Sequence, residues 1–557
     1  MNILKSSRCI AVSLSVCLTI GLSDLRSGFG QESTETAVPV VSLTIRNFRS
    51  LELMASELSK PFGDNDGTQL LSGLLNPTTL TNIDHIDVDK PWNIALWFER
   101  FGASPTISFR IPVTDLRKFT DSLPETSLLR PANEDSSIRE VDGYGVFLSA
   151  FTPMTDAMKA AEAAWHPDQL TKNSKAGDPT ILNLALHLEK SHRDSLKTLL
   201  GFSRKMMVSS LKNLAEPENE DQINSAAGAI PQPARLAELM ILYFDAAEAI
   251  INDLSGLRLG LGTSDDRLVT NFRCDPLEDS LMAECFAAPQ GSLESLLKSL
   301  PPGKHGYFAS NTRFPESLLP GIRKLMDISM AIQGTPTTEN EMDGMMDMIK
   351  LFLDYRMAGS VHFGDNLEFA AAYQFPGKND QAFKALLDYY SSPAIQSIAG
   401  QGKMFKDIKS SSDKLSTGGK DWTIHRFEFP INQDFPLFQA PGTRDMLNFI
   451  YGKDGMTYEV AASEDTVFYS MGAPLAGHLN TNRDPVELPL KKNSVFVFHG
   501  DGLGMMQSLF PDSGDFRVKS ADLDIHAESN GYFQSTAILS LNWLRIFNHL
   551  ASPHSDR

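Results

Sequence analysis

The chain has little cysteine, little tryptophan, a deficit of positive charge, and no long apolar run beyond its first thirty residues. Four cysteines in 557 residues are too few for a scaffold held together by disulfides. Cys9 and Cys17 lie in the N-terminal segment, which leaves only Cys274 and Cys285 to form a bridge in the rest of the chain. If the stretch from Leu277 to Ala287 is a helix, its rise of about 1.5 Å per residue carries Cys285 roughly 12 to 15 Å along. A bridge requires Cα atoms within about 7 Å. If the stretch returns as a strand, Cys285 faces Thr270 instead, so both readings argue against the bond. Five scattered tryptophans form no stacking platform for sugars. The formal charge of −19 becomes −21 once the leader, with Lys5, Arg8 and Arg26 against Asp24, is set aside. That field repels phosphate backbones and anionic lipid, which disfavours nucleic acid as a partner. It suits a protein kept in solution by charge. No later stretch approaches the about 20 apolar residues of a membrane span.

The first thirty residues, MNILKSSRCIAVSLSVCLTIGLSDLRSGFG, have a different character. Lys5 and Arg8 precede a short apolar run from Cys9 to Leu22, and Gly28-Phe29-Gly30 places small residues where a signal peptidase reads. This is the pattern of a secretory signal cleaved near Gly30, with an uncleaved anchor as the alternative. Val16 before Cys17 disfavours a lipoprotein. The expected location is the periplasm or the cell exterior. The remaining 527 or so residues are too many for one core, so at least two domains are expected.

GVFLSAFTP, Gly145 to Pro153, returns as TVFYSMGAP, Thr466 to Pro474, and other pieces recur around both phrases. A short apolar strand running into a polar turn and a helix occurs at Val41–Leu58, Thr180–Leu200, His305–Leu325 and Ser494–Phe510. Two of these follow similar lead-ins, LPPGK at Leu300–Lys304 and LPLKK at Leu488–Lys492. A hairpin then follows each. Three turn at Ser264-Asp265-Asp266, Gly364-Asp365-Asn366 and Ser529-Asn530-Gly531, residues that tolerate positive φ. The fourth, Asn93–Val113, has a longer loop. Helices are expected at Asp115–Leu123, Asp380–Tyr390 and Asn542–Leu550.

The predicted fold class is therefore α+β: antiparallel-rich sheets covered by helices, internally duplicated into two related halves of strand–helix and hairpin–helix units. The domains read as a signal peptide at 1–30, a first half at 31–295 and a second at 296–557. Ala234–Leu254, apolar around much of its circumference, is expected to be well buried. The methionine-rich Glu341–Tyr355 reads as core. Ala215–Ala234 and Lys409–Asp421 read as loose segments.

The stretch IDVDKPWNIALWFERFGASPTISFRIPVTDLRKFTDSL, Ile86 to Leu123, has a DxxKPW lead-in, a hairpin and then PVTDLxxFxxxL. With the LPxxK pieces and the leader, it resembles uncharacterised secreted proteins of planctomycete-type bacteria. The resemblance implies export and carries no activity, ligand or catalytic residue.

The candidate chemistry is sparse. HGDGLG, His499 to Gly504, follows a strand and opens a helix, so its glycines can cradle an anion, and His499 with Asp501 makes half a metal site. The same turn reads Ser310-Asn311-Thr312 and Arg46-Asn47-Phe48 in other copies, which favours a plain turn. GDNDGTQLLSGLL, Gly63 to Leu75, has Thr68 and Leu75 where an EF-hand needs oxygen ligands, so it reads as a helix cap. DHIDVD, Asp84 to Asp89, reads as an acidic strand edge, with Asp87 and Asp89 on one face. HLEKSH, His187 to His192, spaces its histidines wrongly for one metal on one helix. No GxSxG elbow occurs, and the S-x-x-K matches at Ser295–Lys298 and Ser411–Lys414 have no partner motifs.

The sequence thus points to an exported, non-catalytic binding or scaffold protein of the bacterial envelope, with no cofactor. Its expected partner is another protein or an envelope component. Two rivals stand beside it: a hydrolase with a dispersed site, metal-assisted through residues such as His499 and Asp501, and a carrier of lipid or another apolar ligand.

Overall fold

The computed structural model describes residues 39–62, 85–97, 106–123, 127, 129–130, 137–150, 159–160, 162, 165, 179–214, 233–332, 338–391, 405–435, 443–479, 484–510, 516 and 518–551. The leader, Gly63–Leu75 and most of Ala215–Ala234 lie outside the described residues. The described chain is a mixed α/β protein dominated by antiparallel sheet, with thirteen helices among the described residues. It divides into two compact units. The first comprises Met1–Met207, Tyr243–Leu277 and Phe547–Arg557, and the second Val208–Leu242 and Glu278–Ile546.

The first unit carries β1 (Val41–Ile45), β2 (Trp92–Trp97), β3 (Thr106–Pro112), β4 (Ser137–Val141), β5 (Tyr144–Ala150), β6 (Thr180–His187), β7 (Leu254–Ser264) and β8 (Arg267–Pro276). They pair antiparallel in the order β4-β5-β3-β2-β1-β6-β7-β8. The second unit carries β9 (Gly306–Arg313), β10 (Asp354–Phe363), β11 (Leu367–Gln374), β12 (Lys409–Thr417), β13 (Lys420–Pro430), β14 (Gly455–Ala462), β15 (Val467–Met471), β16 (Ser494–Asp501), β17 (Asp522–Ser529) and β18 (Phe533–Ser540). Its order is β12-β13-β14-β15-β11-β10-β9-β16-β17-β18, again antiparallel throughout. With β12 and β13 set aside, the two orders run in the same pattern. The strands of the repeated phrase, β5 and β15, take the same place in each.

Local chemistry explains the hairpins. Asp265 and Asp266 adopt φ of 51° and 58°, and Asp142 and Gly143 adopt 53° and 78°, so both turns bend with the right-handed twist of their strands. The helix Phe48–Ser59 starts where the Asn47 side chain accepts the Ser50 N–H at 2.7 Å. That helix packs Phe48, Leu51 and Met54 onto Phe109, Ile111 and Phe147 on one face of the first sheet. In the second unit the equivalent face is aromatic, with Phe375, Phe427 and Phe429 fully or nearly buried beside Tyr373, Tyr390, Tyr458 and Tyr469. The opposite face of the second sheet meets Leu293, Leu296, Leu297 and Leu300, which lie on Ala309, Ala358, Ala372 and Ala461.

Four expectations are corrected. Lys409–Asp421 is no loose segment but β12 and its turn, where Gly418 and Gly419 supply φ of 61° and 76° and β13 supplies the ladder. Among the described side chains of the apolar helix Pro233–Asp253 only Ala237 is buried, and Tyr243 and Ile250 are exposed, because burial needs neighbours on every side and not only an apolar circumference. The methionine-rich helix Glu339–Leu351 buries only Met342 outright, whereas Leu351, Phe352, Leu353 and Tyr355 at the end of the stretch do belong to the core. Asp87 and Asp89 sit in a turn, not a strand, and pair with Lys90 and Arg49. Cys274 is buried in β8 and Cys285 ends the helix Leu281–Cys285, and no disulfide joins them.

Candidate functional site

His499 and Asp501 lie on β16, two residues apart and therefore on one face of the second sheet. Neighbouring strands line up other titratable groups there. Asp524 of β17 faces His499 in register, and Asp522 faces Asp501. Asp501 N–H donates to the His305 carbonyl at 2.7 Å, which sets His305 next to it at the foot of β9. The His305 ring stacks on His362 of β10 with centroids 4.4 Å apart, and His362 faces Glu368 of β11. Lys304 reaches Glu368 at 2.8 Å. A row Glu368–His362–His305–Asp501–Asp522 thus crosses five strands.

His499, Asp501 and His305 already have structural bonds, whereas His362 Nδ1 is buried without a hydrogen-bond partner. His499 Nδ1 meets Asp524 Oδ1 at 2.7 Å. Asp501 Oδ1 accepts the Gly504 N–H at 2.9 Å and caps the helix Gly502–Leu509, the turn role suggested by the sequence. His305 Nδ1 accepts the Phe363 N–H at 3.0 Å, which leaves its proton on Nε2. Burial and the neighbouring His362 hold His305 below the usual imidazole range, against the pull of Asp501.

The same face holds a constellation that sequence reasoning missed. Ser494 Oγ lies 2.8 Å from His526 Nε2, and His526 Nδ1 lies 3.3 Å from Glu528 Oε1. Ser, His and Glu stand in the order of a nucleophilic triad. Ser494, however, is 3% exposed, and its hydroxyl also accepts the Lys491 N–H at 2.8 Å. Lys491 Nζ pairs with Glu528. Burial, and then the Lys491 cation, lower the pKa of His526. A hydroxyl closed in this way pins the turn before β16 and offers no approach to a substrate carbon. The pattern was invisible in sequence because Ser494 and His526 are 32 residues apart and joined only by the β16–β17 register.

Elsewhere, His187 ends β6 while His192 belongs to the next helix, and His192 Nδ1 bonds the His187 carbonyl at 2.8 Å, so the two do not converge. Among the described residues, no group of three or more His, Cys, Asp or Glu is placed to hold a metal ion. No helix among the described residues is long and apolar enough to cross a membrane. No protein family, curated protein or solved structure matches the chain.

Proposed function

We propose that the chain is an exported binding protein of the bacterial envelope and that the histidine–carboxylate face of its second unit is the contact surface. The supporting observation is the commitment of the reactive groups. His499, Asp501, His305 and Ser494 each hold a backbone or side-chain partner, while the His499 side chain remains 43% exposed beside Asp524. Such a face presents fixed imidazole and carboxylate edges for hydrogen bonding without an activated nucleophile. Its surplus of carboxylates, Glu368, Asp501, Asp522, Asp524 and Glu528 against Lys304 and Lys491, favours a ligand or partner carrying amine or guanidine groups. We further propose that the chain arose by duplication, which accounts for the shared strand order and the repeated phrase.

Native mass spectrometry of the chain taken from its own envelope fraction tests the binding reading. Retained mass that disappears on denaturation, and is missing from a His499→Ala/Asp524→Ala double variant, supports it. A chain that instead turns over ester, phosphate or peptide substrates, with the turnover lost in Ser494→Ala, sinks it in favour of a hydrolase.

A further inference from the structure

The first unit carries a second polar patch, on the face of its sheet opposite the helix Phe48–Ser59. Register places Ser42 and Thr44 of β1, Asn93 of β2, Ser108 and Arg110 of β3 and Arg139 of β4 side by side on that face. All but Arg139 are at least 98% buried. Glu162, wholly buried, reaches over them. Its carboxylate takes Arg110 Nε at 3.0 Å and also Arg139, and its backbone carbonyl takes Arg110 Nη2. Asn93 Nδ2 donates to Thr44 Oγ1 at 3.0 Å and to the Leu43 carbonyl at 3.2 Å, which fixes Asn93 Oδ1 as the free acceptor. Trp97 Nε1 donates to Ser108 Oγ at 2.9 Å. Trp165 packs edge-on against Trp97 and His187, with Ala95, Val146 and Leu148 beside them.

The hydrogen bonding of this patch is incomplete. Arg110 Nη1, Asn93 Oδ1, Trp165 Nε1 and Arg139 Nε are all buried without a partner. Leaving a buried polar atom unpaired is costly, and more so for a charged group, so four in one patch mark a place that something else completes. The two guanidiniums share the Glu162 carboxylate, and the charge of Asp142 also acts on Arg110. Burial keeps His187 uncharged at neutral pH, so it does not alter that balance. The complement of these atoms is a species with acceptors for the three N–H donors, one hydrogen to give Asn93 Oδ1, and a small apolar part to lie along Trp97, Val146 and Leu148.

We propose that this enclosed patch binds a small 2-hydroxycarboxylate, with its carboxylate on Arg110 Nη1 and the Trp165 indole N–H and its hydroxyl donating to Asn93 Oδ1. The site lies apart from the histidine–carboxylate face and does not depend on the function proposed for that face.

The full chain labelled with 5-fluorotryptophan tests the proposal by ¹⁹F NMR, with the Trp165 resonance assigned from Trp165→Phe. Lactate is expected to move the Trp165 signal saturably. Propionate, which lacks the donor, and lactamide, which lacks the charge, are each expected to bind at least about tenfold more weakly, the loss of roughly one good hydrogen bond or ion contact. Asn93→Leu is expected to bring lactate down to the propionate level; if that variant does not fold, the ligand series on the unaltered chain decides alone. No saturable shift at millimolar lactate, or equal responses to lactate, propionate and lactamide, overturns the proposal and assigns the unpaired atoms to buried water.

Discussion

Two sheet faces hold the same place in the strand order of their units, yet they are made of opposite material. In the first unit the face away from the helix Phe48–Ser59 carries Ser42, Thr44, Asn93, Ser108 and Arg110, closed by an ion pair to Glu162. In the second, the corresponding face carries Ala309, Ala358, Ala372 and Ala461, closed by Leu293, Leu296, Leu297 and Leu300. Alanine on the sheet lets leucine approach closely and excludes water, and this closure needs no matched partners. A Ser/Thr/Asn/Arg face must satisfy every donor and acceptor, and this patch leaves four buried atoms unsatisfied. One strand plan therefore supports an apolar closure and a polar one, and only the polar one leaves unpaired groups beneath its closure.

The contrast can be broken from either side. Glu162→Ala should have the largest effect, because it strands the buried Arg110 guanidinium. A loss of about 3 to 5 kcal/mol is expected by denaturant unfolding, whereas replacing Arg110, Glu162 and Arg139 together with apolar residues should cost far less. If the single and triple variants unfold alike, the ion network is not what closes that face. Leu300→Ala, at a wholly buried position of the second unit, should cost about 2 to 5 kcal/mol through the cavity it leaves, and hydrogen exchange should report the loss in the second unit's strands.

Acid should act on the polar side through His187, whose pKa burial lowers to about 4. An unfolded histidine takes its proton near pH 6.5, so between pH 6.5 and about 4 the unfolded chain binds more protons than the folded one. The contribution is intact above pH 6.5, declines as pH falls, and is lost below about pH 4, for a total of up to about 3 kcal/mol. His187→Gln should flatten that part of the stability–pH curve, and an unchanged slope would refute the assignment. The smallest effect expected is at Asp501. Asp501→Ala should cost about 1 kcal/mol as a lost helix cap, while Asp501→Asn, itself a good cap, should be nearly silent. A large loss in Asp501→Asn would mean that the charge has a further role.

Much of the local plan was legible in the chain. The Asp265-Asp266 turn, the Asn530-Gly531 turn and the helix starting beside Asp115 follow from residues that tolerate positive φ or cap a helix within a few positions. The second glycine turn was misread. Lys409–Asp421 is polar and serine-rich, and only the β13 ladder makes its first part a strand. The site was legible only as fragments. His499 and Asp501 stood out because they are close in sequence, but their partners Asp524 and His305 arrive from other strands. Arg110 and Glu162 gave no signal at all, being 52 residues apart in segments of ordinary composition.

By itself the sequence determined the alternation, the turns and caps, the recurring strand–helix and hairpin pieces, and an acidic charge that disfavours nucleic acid, since each depends on neighbouring residues or on simple sums. The tertiary structure decided which face is apolar and which is polar, which histidine meets which carboxylate, and where buried polar atoms remain unpaired. Those outcomes depend on strand register and burial, which bring together residues that no local pattern links.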